Sequence, residues 1–357
     1  MEFIARLKEL GWNPFFESHF EEFNSAALTP ARVIEELKGF FRVRSADDEY
    51  LAEISGKLQH QAVSREDLPA VGDWVAILAR PDEGRARIEA ILPRKSKLAR
   101  KVAGREMSEQ IVATNLDVVF VVSALNREFN LRRIERYLTL VWDSGARPVI
   151  LLNKADLCPD ATARASEVES IALGTSVHLL SATEKTGLDS VRAYLARGTT
   201  SAFVGSSGVG KSTIINGLAD AALRVQPVRE QDDRGQHTTT SRQMIFLTGG
   251  GIVIDTPGMR ELQLWNHEQG AVQAFDDIAT LAQSCKFRDC GHQGEPACAV
   301  EAAIQQGELA FARLENYRKL LAELSFQERK VNPVVARQVK EKWKKIHKAM
   351  RHSQDRF

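Results

Sequence analysis

Over the first third of the chain, short β-type runs alternate with turn-forming clusters. Apolar-rich runs at 40–43, 50–54, 74–78 and 86–91 are separated by turn formers such as 69–73 and 81–84. Strands at this spacing predict a small all-β barrel over residues 39–110. Ahead of it, residues 1–38 read as an irregular lead-in with a short helix near 30–38. From Asp117 the pattern changes. Residues 118–122 are continuously apolar, as in a parallel strand buried on both faces. Leu131, Ile134, Tyr137, Leu138, Val141 and Trp142 then recur at helical spacing. Further buried-type strands fall at 148–152, 177–180 and 200–204. Strands alternating with helices predict a mostly parallel sheet with crossover helices over 111–278. Runs at 244–247 and 252–254, joined through Gly249, Gly250 and Gly251, read as a hairpin feeding the same sheet. A third part, 279–357, opens on a cysteine cluster. It continues as a helical stretch over 297–326, breaks at Pro333 and ends on a basic helix over 334–352. The fold class is multi-domain α/β.

Composition narrows the function classes. The 357 residues are 43% hydrophobic and 27% charged, which excludes wholesale disorder, collagen and a membrane bundle. The apolar stretch at 118–125 falls far short of the ~20 residues a membrane helix needs. Charges are mixed into the first ten residues from Glu2, with no secretory apolar segment. A cytoplasmic protein with no membrane partner is expected. The net charge of +1 argues against a generic nucleic-acid binder, but it hides an asymmetry. Residues 327–357 hold ten Lys/Arg against three Asp/Glu, a net of +7, which leaves −6 for the rest. Such an end is a candidate interaction tail. A second basic run, Arg94, Lys95, Lys97, Arg100, Lys101 and Arg105, reads either as a solvated loop or as one facing nucleic acid.

Residues 205–212 read GSSGVGKS, the pattern G-x-x-x-x-G-K-S. It follows a strand run and precedes a helical one, as a phosphate-binding loop requires. Gly205, Gly208 and Gly210 let the backbone turn its N–H groups onto phosphate oxygens. The loop from Ser206, Ser207 and Val209 to Thr213 would wrap the phosphates at a helix N-terminus. Lys211 would reach the β- and γ-phosphates and Ser212 would ligate Mg²⁺.

Asn153-Lys154-Ala155-Asp156 closes the strand at 149–152 as N-K-x-D. A carboxylate at Asp156 accepts from both N–H donors on the guanine edge, a pair adenine lacks, so such a site rejects adenine. Lys154 can lie along the base plane. Ser181-Ala182 ends the next strand and could offer a backbone N–H to guanine O6. Asp255-Thr256-Pro257-Gly258 follows the strand at 252–254. Asp255 can hold Mg²⁺ through water, and Gly258 can present its N–H to a γ-phosphate. Thr239, within the Gly235–Thr240 segment GQHTTT, could complete the Mg²⁺ shell. Loops held only by γ-phosphate and Mg²⁺ act as switches. Where many GTPases carry a water-positioning Gln after that glycine, this chain has Met259. His237 is the nearest candidate for positioning the water; the alternative is that it only shapes the loop.

These segments resemble those of translation-factor-type GTPases in a different order. N-K-x-D precedes the phosphate loop instead of following it, so the resemblance is to a circularly permuted GTPase. Past the sheet, Cys285, Cys290, His292 and Cys298 supply three thiolates and one imidazole on a glycine-rich loop. This set has the closed character of a structural zinc site. The motif order, the barrel ahead of it and the Cys/His string after it resemble the ribosome small-subunit-dependent GTPase A family over nearly the whole chain. The matching segments are 69–75 (PAVGDWV), 205–212, 234–240 (RGQHTTT), 255–261 (DTPGMRE) and the cysteine string. The resemblance implies an OB-fold barrel, a circularly permuted GTPase domain and a C-terminal helical zinc-binding domain. It further implies GTP hydrolysis to GDP stimulated by the small ribosomal subunit, in late maturation of that subunit, with contact to its rRNA. One Zn²⁺ per chain, Mg²⁺ with the nucleotide, and a monomer are expected. Two rivals are a nucleotide-gated RNA-binding module and a P-loop ATPase or kinase, the latter disfavoured by Asp156.

Overall fold

The computed structural model describes residues 2–102, 108–219, 242–255, 270 and 273–331. The lead-in is ordered. Helices α1 (Glu2–Glu9) and α2 (Pro14–Phe20) lie against the barrel's outer surface. Asn13 caps α2, its side chain accepting from Phe15 N at 3.0 Å, and Pro14 suits the first helical position. Trp12, Phe16 and Phe20 gather around Trp74.

The helix expected near 30–38 is instead strand β1 (Thr29–Glu36). Its alanine, arginine and glutamates favour helix locally, but β1 is hydrogen-bonded on both sides, to β2 (Phe41–Arg44) and to β4 (Trp74–Arg80). Tertiary pairing overrides local propensity there. With β3 (Glu49–Ile54), helix α3 (Gly56–Gln61) and β5 (Arg85–Ile91), these strands form a barrel ordered β1-β2-β3-β5-β4 and closed by β1–β4. Val33, Val43, Val75, Ile77 and Ile88 fill it. Arg32, also on β1, is fully buried and donates to the carbonyls of Gly72, Asn115 and Leu10. Burial lowers its pKa to about 10. It staples the lead-in, the barrel and the following sheet together.

Of the basic run, Lys97, Arg100 and Lys101 lie on a strand and not in a loop. Strand β6 (Lys97–Val102) pairs antiparallel with β7 (Ser108–Thr114). Arg94 turns inward and pairs with buried Asp73 at 2.7 Å. It also donates to the carbonyls of Glu66 and Leu68. Arg105 lies outside the described residues.

The second layer follows the predicted alternation. It comprises β8 (Val118–Ala124), α4 (Leu131–Asp143), β9 (Arg147–Asn153), α5 (Ala161–Ile171), β10 (Ser176–Leu179), α6 (Leu188–Arg192), β11 (Thr200–Val204), α7 (Lys211–Ala219), β12 (Gln243–Phe246) and β13 (Ile252–Asp255). The strand order is β10-β9-β8-β11-β13-β12. All neighbours are parallel except β12, which forms the expected hairpin with β13. Alternate residues face opposite sides. Val119, Val121 and Ile150 pack under α4 and α5, while Phe120, Val122 and Leu151 pack under α6 and α7. At Glu35↔Gln243, β12 pairs with β1, so sheet and barrel are continuous.

The last part packs on the α4 side of the sheet. It opens with helix α8 (Asp276–Ala282), and helices α9 (Ala299–Gln305) and α10 (Phe311–Val331) replace the single helical stretch expected over 297–326. Gly307, with φ 77°, sits in the break. Arg313 of α10 reaches into the interior. It pairs with Glu135 of α4 at 2.9 Å and with Asp277 of α8, donates to the Ala274 carbonyl, and lies over the Phe275 ring. Asn316 holds the other Glu135 oxygen at 3.0 Å. Burial raises the Glu135 pKa, and Arg313 and Asn316 oppose it. Arg313→Met would leave the Glu135 carboxylate buried without its cation. It is expected to cost about 3–5 kcal/mol by urea unfolding, and adding Glu135→Leu should recover much of that loss. A cost below about 1 kcal/mol for the single change would show the network to be dispensable.

Candidate nucleotide and metal sites

In a parallel sheet whose strand order reverses, a crevice opens at the carboxyl ends of the strands at the reversal. Here the reversal lies between β8 and β11. The chain runs from β8 outward to β9 and β10, then returns to β11 on the other side of β8. The carboxyl ends of β9, β10, β11 and β13 carry, in turn, Asn153, Ser181 in the segment just after β10, Gly205 and Asp255. Four segments far apart in the chain therefore share one edge.

Loop 205–210 joins β11 to α7 with positive φ at Gly205, Gly208 and Gly210. A Cβ on Gly205 would overlap the Val122 carbonyl, and one on Gly210 would overlap the Asn153 amide. Both glycines are thus required by close approach as well as by dihedral. Lys211 Nζ donates to Gly205 O at 2.7 Å and Ser206 O at 2.8 Å, spanning the loop mouth. Ser212 and Thr213 follow on the first turn of α7.

Asn153 ties the base-side and phosphate-side segments together. Its Nδ2 donates to Val209 O at 2.7 Å, and its Oδ1 accepts from Ala182 N at 3.0 Å. Lys154 adopts a left-handed conformation (φ 64°) and Ala155 N donates to Leu180 O. Asp156 is left exposed at the start of a short 3₁₀ turn. The N–H groups of Ser181 and Ala182 are both engaged within the protein, Ser181 with Thr186 O and Ala182 with Asn153. Both N–H groups of the segment expected to face guanine O6 thus have partners within the protein. His237, Thr239, Gly258 and Met259 lie outside the described residues, as does the basic helix expected over 334–352.

Two contacts were missed by sequence reasoning. Arg133 Nη1 on α4 donates to Ser206 Oγ at 2.9 Å, and Tyr137 lines the same small cavity. Tyr137 was legible only as one member of an apolar helical face.

The cysteine string folds into a compact set. Cys285, Cys290, His292 and Cys298 each present a ligand atom, all within 4.8 Å of one another. Cys285 Sγ lies 3.9 Å from Cys298 Sγ, and His292 Nδ1 lies 3.7 and 3.4 Å from those two sulfurs. A tetrahedral ion with bonds of about 2.0–2.3 Å needs ligand separations of this size, so the residues fit a metal. His292 and Ala297 take left-handed conformations (φ 57° and 58°) to wrap the loop. Cys298 caps α9 by accepting from Glu301 N. Burial pushes the Cys285 thiol up, but the N–H groups of Ala299 and Val300 together with Cys290 and Cys298 outweigh it and lower its pKa.

A phosphate-type loop and an N-K-x-D strand end on one edge of a rewired parallel sheet define a circularly permuted P-loop GTPase, with a barrel before it and a metal-ligand cluster after it. Comparison with known proteins agrees. Residues 91–265 match the family model described as RsgA GTPase. The small ribosomal subunit biogenesis GTPase RsgA of Opitutus terrae is 44% identical over 355 residues, covering 97% of each chain. Its namesake from Syntrophotalea carbinolica is 46% identical, covering 89% of this chain and 90% of that one. Two solved structures share the architecture. YjeQ from Thermotoga maritima has a TM-score of 0.64 at 28% identity, over 83% of this chain and 98% of that one. YloQ, described as a circularly permuted GTPase, has a TM-score of 0.62 at 26% identity, over 85% and 97%. The chain belongs to the RsgA GTPase family.

Proposed function

We propose that this chain hydrolyses GTP in response to the small ribosomal subunit and acts in late maturation of that subunit. The observation that carries the reading is Asn153, which binds the phosphate loop at Val209 and the base-side segment at Ala182. That one residue aligns the two halves of a guanine nucleotide site. In this reading Asp156 takes the guanine edge, with Lys154, Ala155, Ser181 and Ala182 forming the base wall. Residues 205–213 and Gly258 hold the phosphates. Lys211 neutralises charge between the β- and γ-phosphates, and Ser212, Asp255 and Thr239 hold Mg²⁺, which supplies Lewis-acid stabilisation of the leaving group. His237 is assigned to the attacking water. Zinc at Cys285, Cys290, His292 and Cys298 is structural, because four protein ligands leave no open position.

The same reading divides the chain at about residues 38, 110 and 278, with β1 joining the barrel from the first segment. The barrel and the basic stretch 327–357 contact rRNA, chiefly through phosphates. The protein works as a cytoplasmic monomer. Among the described residues no helix is long and apolar enough to cross a membrane.

The test is GTP turnover with purified small subunits, large subunits or neither. Stimulation by small subunits alone is expected, and equal rates in all three would overturn the reading. Asp156→Asn tests base choice. An asparagine amide cannot accept from both guanine donors but can pair with the 6-oxo, 2-oxo edge of xanthine. GTP binding should weaken by on the order of a hundredfold or more, with XTP gaining relative to it. Unchanged GTP affinity would remove Asp156 from the base site.

A further inference from the structure

Helix α4 touches the phosphate loop with one face and the C-terminal helices with another. Arg133 and Tyr137, four residues apart, share a face, while Glu135 lies roughly opposite. On the first face the Arg133 guanidinium donates to Ser206 Oγ at 2.9 Å. Tyr137 borders the same small cavity together with Ser206 and Val209. Burial raises the Tyr137 pKa, and Ser206 and Arg133 oppose that rise. On the opposite face Glu135 is gripped by Arg313 and Asn316, and next to it Arg136 pairs with Glu323 at 3.4 Å. The helix is therefore a fixed support, anchored from behind.

The G-x-x-x-x-G-K-S pattern leaves its second position free, so nothing in the loop chemistry calls for a serine at 206. In this chain Ser206 is held twice: Lys211 takes its carbonyl and Arg133 its hydroxyl. A glycine-rich loop loses backbone freedom when it closes on phosphates, and fixing it beforehand lowers that cost. We propose that Arg133 and Tyr137 are positioning residues that hold the phosphate loop in its nucleotide-binding shape through the Ser206 hydroxyl. The inference rests on the reading of residues 205–213 as the GTP phosphate site.

The experiment is a double-mutant cycle on the full chain, reading affinity for a fluorescent GTP analogue and melting temperature together. Arg133→Met keeps an unbranched apolar stem and removes the donor. Arg133→Met and Ser206→Ala should each weaken binding about three- to tenfold, the scale of one hydrogen bond, at unchanged melting temperature. The double variant should bind no more weakly than Ser206→Ala alone, because Arg133 acts through that hydroxyl. Tyr137→Phe should give a smaller loss in the same direction. Wild-type affinity in Arg133→Met, or losses that multiply in the double variant, would overturn the proposal while leaving the GTP site standing. Failure of the unmutated chain to bind the analogue would overturn the site reading, and this inference with it.

Discussion

Lys211→Ala is expected to lower GTP turnover by about a hundred- to a thousandfold, the cost of removing one preorganised group from developing charge. The ammonium already sits at the loop mouth, bonded to the carbonyls of Gly205 and Ser206. In the triphosphate complex it would exchange these partners for the β- and γ-phosphates. The fold should not suffer. The residues of α7 that face the core are Ile214, Ile215 and Leu218, and the Lys211 side chain is only half-buried. Single-turnover hydrolysis and thermal melting, measured side by side, check both halves of the expectation. A wild-type rate in a folded Lys211→Ala protein would remove this residue from the chemistry.

Loss of the metal is expected to unfold the segment around α8 and α9 while the parallel sheet persists. Within α8 and α9 themselves, Ile278, Val300 and Ala303 are the buried residues. A segment of that size gains its order from the ion, whose binding free energy in small structural zinc sites is on the order of 10 kcal/mol. Either chelation or Cys290→Ser should therefore remove helical circular dichroism. It should also free Arg313 from Asp277, because α8 carries that carboxylate. Elemental analysis should find one zinc per chain before treatment. Unchanged helicity after complete metal removal would refute a structural role for the cluster.

The chemistry of both candidate sites was legible because each motif is contiguous in the chain. A phosphate loop is a run of glycines, a lysine and a serine, so 205–212 could be read directly. The Cys/His string likewise carries its ligands within 14 residues. The parallel strands were legible too, because burial on both faces leaves continuous apolar runs at 118–122 and 148–152. The residues of β1 read locally as a helix, because their composition favours helix and their hydrogen-bond partners lie elsewhere in the chain, in β2 and β4. The basic run at 94–105 shows the same limit. Charge counting treats Arg94 as free, whereas the fold pairs it with Asp73 and two carbonyls.

By itself, then, the sequence determined the kinds of chemistry this protein can carry and the class of its central sheet, since both depend on residues near one another in the chain. Only the tertiary structure decided how those pieces meet. Asn153 joins Val209 and Ala182 across 56 and 29 residues, Arg133 reaches Ser206 across 73, and Arg313 reaches Glu135 across 178. Such contacts leave no periodic trace. A buried or half-buried polar group is satisfied by whatever partner the packing brings within about 3 Å, and that partner is set by the whole fold.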